Sequence, residues 1–300
     1  MSEETTERAG AAFSFLGDGL RLAVLRALAA GEPPAGPREG AVAYSDLRRE
    51  VGERDSGKFS YHLDKLTGRF VEKVDGGYRL REPGREVVRL LDRGVVDGPA
   101  EFEPTAVPAR CPLCGGDVHV RYGDHHVVTC CGDCEGLFGA DGTPDGTLTG
   151  VVLPPATVEG RDPAALFEHA HRVFRRRLRA MVDGLCLECG GDAERRLRRC
   201  PDHDAPTGRT CGTCGTAYPV LAELVCTVCG RGRVTHPLFG NPDTEDATVV
   251  ADPARPWDRL AALLSWDATA LPGDAAGEVA FERPDGRVRV VLDDDLGVAE

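Results

Sequence analysis

Twelve cysteines stand in this 300-residue chain, and ten of them fall into pairs two residues apart: Cys111/Cys114, Cys131/Cys134, Cys186/Cys189, Cys211/Cys214 and Cys226/Cys229. That spacing puts two thiolates on one tight turn, so both can reach a single tetrahedral ion at about 2.3 Å. Glycines follow four of the pairs (Gly115, Gly190, Gly215, Gly230) and suit such a turn. Cys200-Pro-Asp-His203 repeats the spacing with histidine as the second ligand. With His203 added and Cys130 set aside, the donors make three sets of four, so the expected cofactor is zinc, up to three structural ions. Redox dithiols are the competing reading, but a redox Cys-x-x-Cys usually occurs once, beside a βαβ pattern that is absent here.

The first set is Cys111, Cys114, Cys131 and Cys134, with an alternating stretch, HVRYGDHHVVT, that reads as the hairpin of a zinc ribbon. The other ligands can be wired in two ways. A sequential wiring joins Cys186/Cys189 to Cys200/His203 and Cys211/Cys214 to Cys226/Cys229. An interleaved wiring joins the first pair to the third and the second to the fourth. The short gaps of the sequential wiring suit two tandem ribbons and favour it. His125, His126, His169 and His171 read as surface or packing residues. Filled four-donor sets leave no open position for substrate, and G-x-S-x-G, a phosphate-binding glycine loop and HExxH are all missing, so no enzyme is expected.

The elements that would carry a further function lie N-terminal to the cysteines. Residues 11–30 place Phe15, Leu16, Leu20, Val24, Leu25 and Leu28 at helical spacing. Tyr44–Val51 reads as a short helix with Ser45 as cap, and Asp55 or Ser56 caps a third whose Phe59, Leu63 and Leu66 turn inward. Val71–Val74 and Tyr78–Arg81 flank Asp75-Gly76-Gly77, a hairpin turn, and Pro83 opens a last helix through Leu91. Helix, helix, helix, hairpin, helix is the order of a winged helix-turn-helix.

Within that frame, LGDGLRLAVLRAL and DSGKFSYHLDKL look like the second and recognition helices of ArsR-type regulators. From Phe15 to Leu91 the chain resembles the N-terminal domain of haloarchaeal ArsR-like transcriptional regulators, and its cysteine pairs and RVRVVLDDDLGVAE ending resemble their C-terminal part. The resemblance implies binding of double-stranded DNA as a homodimer, with Phe13–Leu16 and Glu86–Leu91 at the seam. Burial of Phe59, Leu63 and Leu66 turns Lys58, Ser60, Tyr61 and Lys65 outward toward base edges or phosphates, with Lys73 and Arg79 in the wing. Metal sensing of the family's kind uses cysteines in or near the helix-turn-helix, and residues 1–110 contain none.

A net charge of −13 opposes phosphate binding at first sight. The charge is uneven, however: residues 1–98 carry 17 acidic and 16 basic side chains, and the excess acid lies beyond them. Only three basic residues are lysine (Lys58, Lys65, Lys73), and that arginine- and aspartate-rich composition fits a proteome adapted to molar salt. Without an apolar run of about 18 residues or a signal-like N-terminus, the expected location is cytoplasmic, with no membrane partner.

The expected fold class is α+β. A winged helix-turn-helix (1–95) precedes a linker and first zinc ribbon (96–155) and a connecting helix (156–184). A second cysteine-rich zinc module or modules (185–235) and a C-terminal helix and β-hairpin segment (236–300) follow. The arginines 172, 175, 176, 177 and 179 on the connecting helix read as a solvated face. The functional expectation is a transcriptional regulator whose zinc ribbons dock a partner or organise the dimer. Two alternatives stand beside it: a general transcription component resembling archaeal transcription factor E, acting through contacts with the transcription machinery, and a zinc- or redox-responsive switch.

Overall fold

The computed structural model describes residues 13–32, 40–96, 101–206 and 208–239, the strands 267–270, 279–282 and 289–292, and positions 7, 10, 257 and 296. The chain is α+β with small antiparallel sheets, and it divides into two units, residues 1–98 and 99–300. Among the described residues no helix is long and apolar enough to cross a membrane.

In the first unit, α1 (Gly19–Ala30) begins where Asp18 accepts hydrogen bonds from the N–H groups of Leu20 (2.9 Å) and Arg21 (3.3 Å). Those are two of the orphan donors that any helix start must satisfy. α2 (Tyr44–Glu50) starts at Ala43 without a side-chain cap, and Ser45, expected as its cap, lies inside the helix. α3 (Ser56–Leu66) is capped by Asp55, which accepts from Gly57 N (2.8 Å) and Lys58 N (3.0 Å). β1 (Val71–Val74) and β2 (Gly77–Leu80) form an antiparallel hairpin, and α4 (Glu82–Asp92) carries Pro83 in its first turn.

Val24, Leu25 and Leu28 of α1, Leu47 of α2, and Phe59, Leu63 and Leu66 of α3 meet Leu80 of β2 and Val88 of α4 in one core. The loop before α2 joins the hairpin: Val42 and Tyr78 exchange backbone hydrogen bonds of 2.9 and 3.0 Å. This approach dictates Gly77, at φ +153°, because a Cβ there would lie 2.1 Å from the Val42 carbonyl oxygen. Arg85 of α4 binds Glu32 through two nitrogens at 2.7 and 2.9 Å, tying the last helix to the end of α1.

The second unit opens with a four-stranded antiparallel sheet: β3 (Phe102–Arg110), β4 (Asp117–Gly123), β5 (His126–Cys131) and β6 (Thr147–Val152), in that order. β3 lies where the sequence suggests a linker; its side chains are mostly exposed, so it lacks the apolar signature of a strand, and it is held by its pairing with β4. The expected hairpin is β4–β5, whose two-residue turn places Asp124 (φ 46°) and His125 (φ 60°) in the left-handed region, the geometry that matches strand twist.

A short turn of helix, α5 (Pro155–Val158), leads to α6 (Pro163–Val182), capped by Asp162. α6 serves two cores. Leu166, Phe167 and Ala170 pack on the first sheet, while Leu178, Met181 and Val182 pack on a second sheet, β7 (Ala193–Arg199), β8 (Val220–Cys226) and β9 (Gly232–Thr235). The α6 arginines are not all a free face: Arg177 donates to the Val152 carbonyl (2.8 Å) and pairs with Glu188 (3.0 Å), and Arg179 pairs with Asp183 (3.1 Å).

A third sheet, β10 (Asp267–Ala270), β11 (Val279–Glu282) and β12 (Arg289–Leu292), includes the expected C-terminal strand pair. Its turn at 284–286 lies outside the described residues. So does the helix expected over Trp257–Ser265, apart from Trp257 itself, whose indole donates to the Arg110 carbonyl at 3.1 Å.

His171, on the buried face of α6, packs edge-on against Phe167 and Trp257 at 4.6 and 4.9 Å. Burial pulls its pKa down to about 3. An unfolded chain takes up this proton near pH 6.5 while the folded one refuses it, so the stability present above pH 6.5 is lost as the pH falls toward 3. The expected observation is an imidazole resonance that stays at its neutral position from pH 8 to 5. A titration midpoint above 5.5 would contradict this burial.

Candidate metal centres

Four of the six half-sites are built by one local design. In each, the first cysteine's N–H donates to the carbonyl five residues on, and its own carbonyl accepts from the glycine four residues on. The pairs are Cys111 N to Gly116 O (2.9 Å) with Gly115 N to Cys111 O (2.9 Å), and Cys186 N to Gly191 O (2.9 Å) with Gly190 N to Cys186 O (2.8 Å). They continue with Cys211 N to Thr216 O (3.0 Å) and Gly215 N to Cys211 O (2.8 Å), then Cys226 N to Arg231 O (3.0 Å) and Gly230 N to Cys226 O (3.1 Å). The fourth residue of each turn must be left-handed, and Gly115, Gly190, Gly215 and Gly230 hold φ of 76°, 75°, 66° and 69°. The turn aims backbone N–H groups at sulfur: Leu113 at Cys111 (3.4 Å), Thr213 at Cys211 (3.3 Å) and Cys229 at Cys226 (3.5 Å). These donors favour the thiolate.

Tertiary structure gathers the half-sites into three groups of four that can hold a metal ion, with all ligand atoms of a group within 4.8 Å of one another. The first is Cys111, Cys114, Cys131 and Cys134. The β4–β5 hairpin brings its two ends together, giving Sγ–Sγ distances of 3.7 Å (Cys111–Cys134) and 3.5 Å (Cys114–Cys131). The second is Cys186, Cys189, Cys226 and Cys229, and the third is Cys200, His203, Cys211 and Cys214.

This nesting corrects both wirings open to the sequence, the sequential and the interleaved. The cause is the β7–β8 pairing, whose register sets Ala193 opposite Cys226. The turn before β7 therefore meets the turn after β8 at one end of the hairpin. The two remaining half-sites lie in the connection at the other end and close on each other.

The donor geometry fits a tetrahedral ion. Bonds of about 2.3 Å to sulfur give edges of about 3.8 Å, and the second centre shows 3.8 Å (Cys186–Cys229) and 3.5 Å (Cys189–Cys226). In the third, His203 Nδ1 lies 3.5 Å from Cys214 Sγ, the edge expected between one nitrogen and one sulfur ligand. Sulfurs this far apart are not disulfide-bonded, and every cysteine is a free thiol.

Electrostatics points the same way. Burial pushes Cys111 up to about 11 and Cys200 up to about 11, whereas the N–H of Cys229, with that of Val228, brings Cys226 down to about 7 against its burial. Without a cation, thiolates so close oppose each other's ionisation; a divalent ion removes that opposition.

Sequence reasoning missed the residues that stitch the third centre to the loop after the first. Glu135 accepts from Thr210 N (2.9 Å) and pairs with Arg209 (2.8 Å). Gly139 N donates to Gly215 O (2.9 Å) and Ala217 N to Leu137 O (3.1 Å). Cys130, set aside as a ligand, is buried at 3.7 Å from the His119 carbonyl. Of the four histidines read as non-ligands, none belongs to a donor group among the described residues.

The residues singled out for DNA lie on one unit. Lys58, Tyr61 and Lys65 of α3 and Lys73 of β1 are exposed. Lys58 pairs with Glu53 (3.0 Å), and Lys65 sits over the Tyr61 ring (5.5 Å). Ser60 is half-buried and bonded to the Tyr44 hydroxyl (2.7 Å), and Arg79 pairs with Glu72 (2.6 Å). These two are thus partly engaged within the unit, whereas Tyr61, Lys65 and Lys73 are more open.

No curated protein and no solved structure matches the chain. Residues 9–91 match the model of a domain of unknown function, DUF7347, which ends within α4. Residues 108–298, more than half of the chain and all twelve candidate ligands, match a second model, a domain of unknown function, DUF7351. The chain belongs to the DUF7351 family.

Proposed function

We propose that the chain is a DNA-binding transcriptional regulator of the ArsR-like kind. Its first unit serves as a winged helix-turn-helix on duplex DNA, and its second unit is built around three structural zinc ions. What carries the DNA reading is the sidedness of α3: Phe59, Leu63 and Leu66 are fully buried, and Lys58, Tyr61 and Lys65 lie on the exposed side. The chain's only other lysine is in the adjoining hairpin. A helix of this kind reads base edges in the major groove while the hairpin contacts backbone. Zinc bound by four protein donors would supply cross-links between strands and leave no open coordination position, so a non-catalytic role follows. In this reading the protein acts as a homodimer.

The test is selection of genomic fragments by the full zinc-loaded chain in high-potassium buffer. The expected outcome is a short enriched sequence. A Lys58→Ala/Lys65→Ala variant should bind it roughly 10- to 100-fold more weakly and with a salt slope smaller by about two. No enrichment by a folded, zinc-loaded chain would contradict the reading.

A second reading, docking to a protein of the transcription machinery, is favoured by the tips of the second centre. There Leu187 and Val228 are 54% and 71% exposed, an unusual position for apolar side chains on so charged a surface. Capture of polymerase subunits by the full chain, weakened by Leu187→Ser/Val228→Ser, would support it.

A further inference from the structure

Between the two larger sheets of the second unit lies a cavity of about 180 Å³, walled by β6, α6 and β9. Leu148, Phe174 and Phe138 give it an apolar body. An apolar cavity of about 150 Å³ already holds benzene, so this one accommodates a single aromatic or compact branched ring. It differs from a dry packing defect in its polar wall. Thr149 and Thr235 line it and are 6% and 4% exposed, and Arg233 lines it with an Nε that is buried and makes no hydrogen bond.

The charge around Arg233 favours an anion. Its guanidinium is depressed below the usual range by burial and by the neighbouring Arg177 and Arg231, with Glu188 and Cys186 opposing. Glu188 is itself held by Arg177 at 3.0 Å. A guanidinium binds carboxylate through paired N–H donors and is the side chain best shaped to do so. Gly150 and Gly232 at the rim are exposed, which leaves a way in.

The geometry points to a binding site for a small monocarboxylate with an aromatic or compact apolar body, its ring against Phe138 and Phe174 and its carboxylate at Arg233 and the two threonines. None of the twelve metal ligands lines this cavity, and the assignment stands whether or not the chain binds DNA.

The test uses the full, metal-loaded chain with benzoate and the neutral isostere benzamide, followed by calorimetric titration and by NMR contacts from the ligand ring protons. Benzoate is expected to bind at one site with contacts to Phe138 and Phe174, and benzamide about ten-fold more weakly or worse. Arg233→Gln should abolish the preference for benzoate, and Thr235→Trp, which fills the cavity from the same face of β9 as Arg233, should abolish binding of both. Metal content and circular dichroism report whether each variant is folded; should either variant misfold, the ring contacts and the benzoate-over-benzamide preference of the unaltered chain decide. Absence of benzoate binding, equal affinity for both probes, or contacts elsewhere on the chain would overturn the assignment.

Discussion

Removing metal from the full chain with a strong chelator is expected to unfold the second unit while leaving the first intact. Hydrogen exchange should show protection lost across β3 to β9 and kept in α1 to α4. The first 110 residues contain no cysteine, so the α-rich unit has nothing to lose. The second unit is expected to depend on its centres because ligand pairs tie together the ends of its hairpins, and the sheet of β7 to β9 includes one strand that buries little. β7 alternates exposed and half-buried positions, and two of its four inward-facing residues, Arg195 and Arg199, are charged. Structural zinc sites contribute apparent binding energies of roughly 10–16 kcal/mol each at neutral pH, against a net stability of about 5–15 kcal/mol for a typical domain. Loss of even one ion is therefore decisive. Unchanged protection of β7 to β9 after complete metal removal would show that the apolar cores suffice without it.

Phe59→Ala should destabilise the first unit by about 3–5 kcal/mol, the usual range for emptying a buried phenylalanine site. Phe59 is fully buried and meets Tyr44 edge-on at 5.1 Å. Tyr44 in turn bonds Ser60 (2.7 Å) and the Ser56 carbonyl (3.2 Å), so the ring that would lose its partner is the one that fixes the start of α3. The direct consequence is a loosened α3 as well as a cavity. The matched control is Tyr61→Ala, two residues away and 56% exposed, which should change stability by no more than about 0.5 kcal/mol. Denaturant titration with a probe in the first unit separates the two; a Phe59→Ala cost below about 1 kcal/mol would mean that the α3 core is not packed as described.

The first unit was legible because its elements carry local signals. Asp55 caps α3 as its type suggests, and Asp75-Gly76 turns a hairpin between short apolar runs, whereas in the run read over residues 11–30 the helix α1 starts only at Gly19, after the cap Asp18. What escaped was long-range: the exchange between Val42 and Tyr78 leaves no mark in either segment beyond the glycine that permits it. β3 escaped because an edge strand with mostly exposed side chains has no apolar period to read.

The metal centres divide in the same way. Ligand pairs are set by local spacing, and all twelve candidate residues fall into the three donor groups. Which pair meets which is set by strand pairing. AERRLRR hides β7, because arginines occupy the positions where a strand usually shows valine or isoleucine, and without β7 the nesting of one centre inside the other had no visible cause.

Native mass spectrometry of the Cys186→Ser/Cys226→Ser double variant tests the nested metal architecture most directly. Cys186 and Cys226 belong to one donor group, so the double variant should lose a single ion relative to the unaltered chain, the same loss as either single variant. Loss of two ions would place the two cysteines in different centres and contradict the nesting.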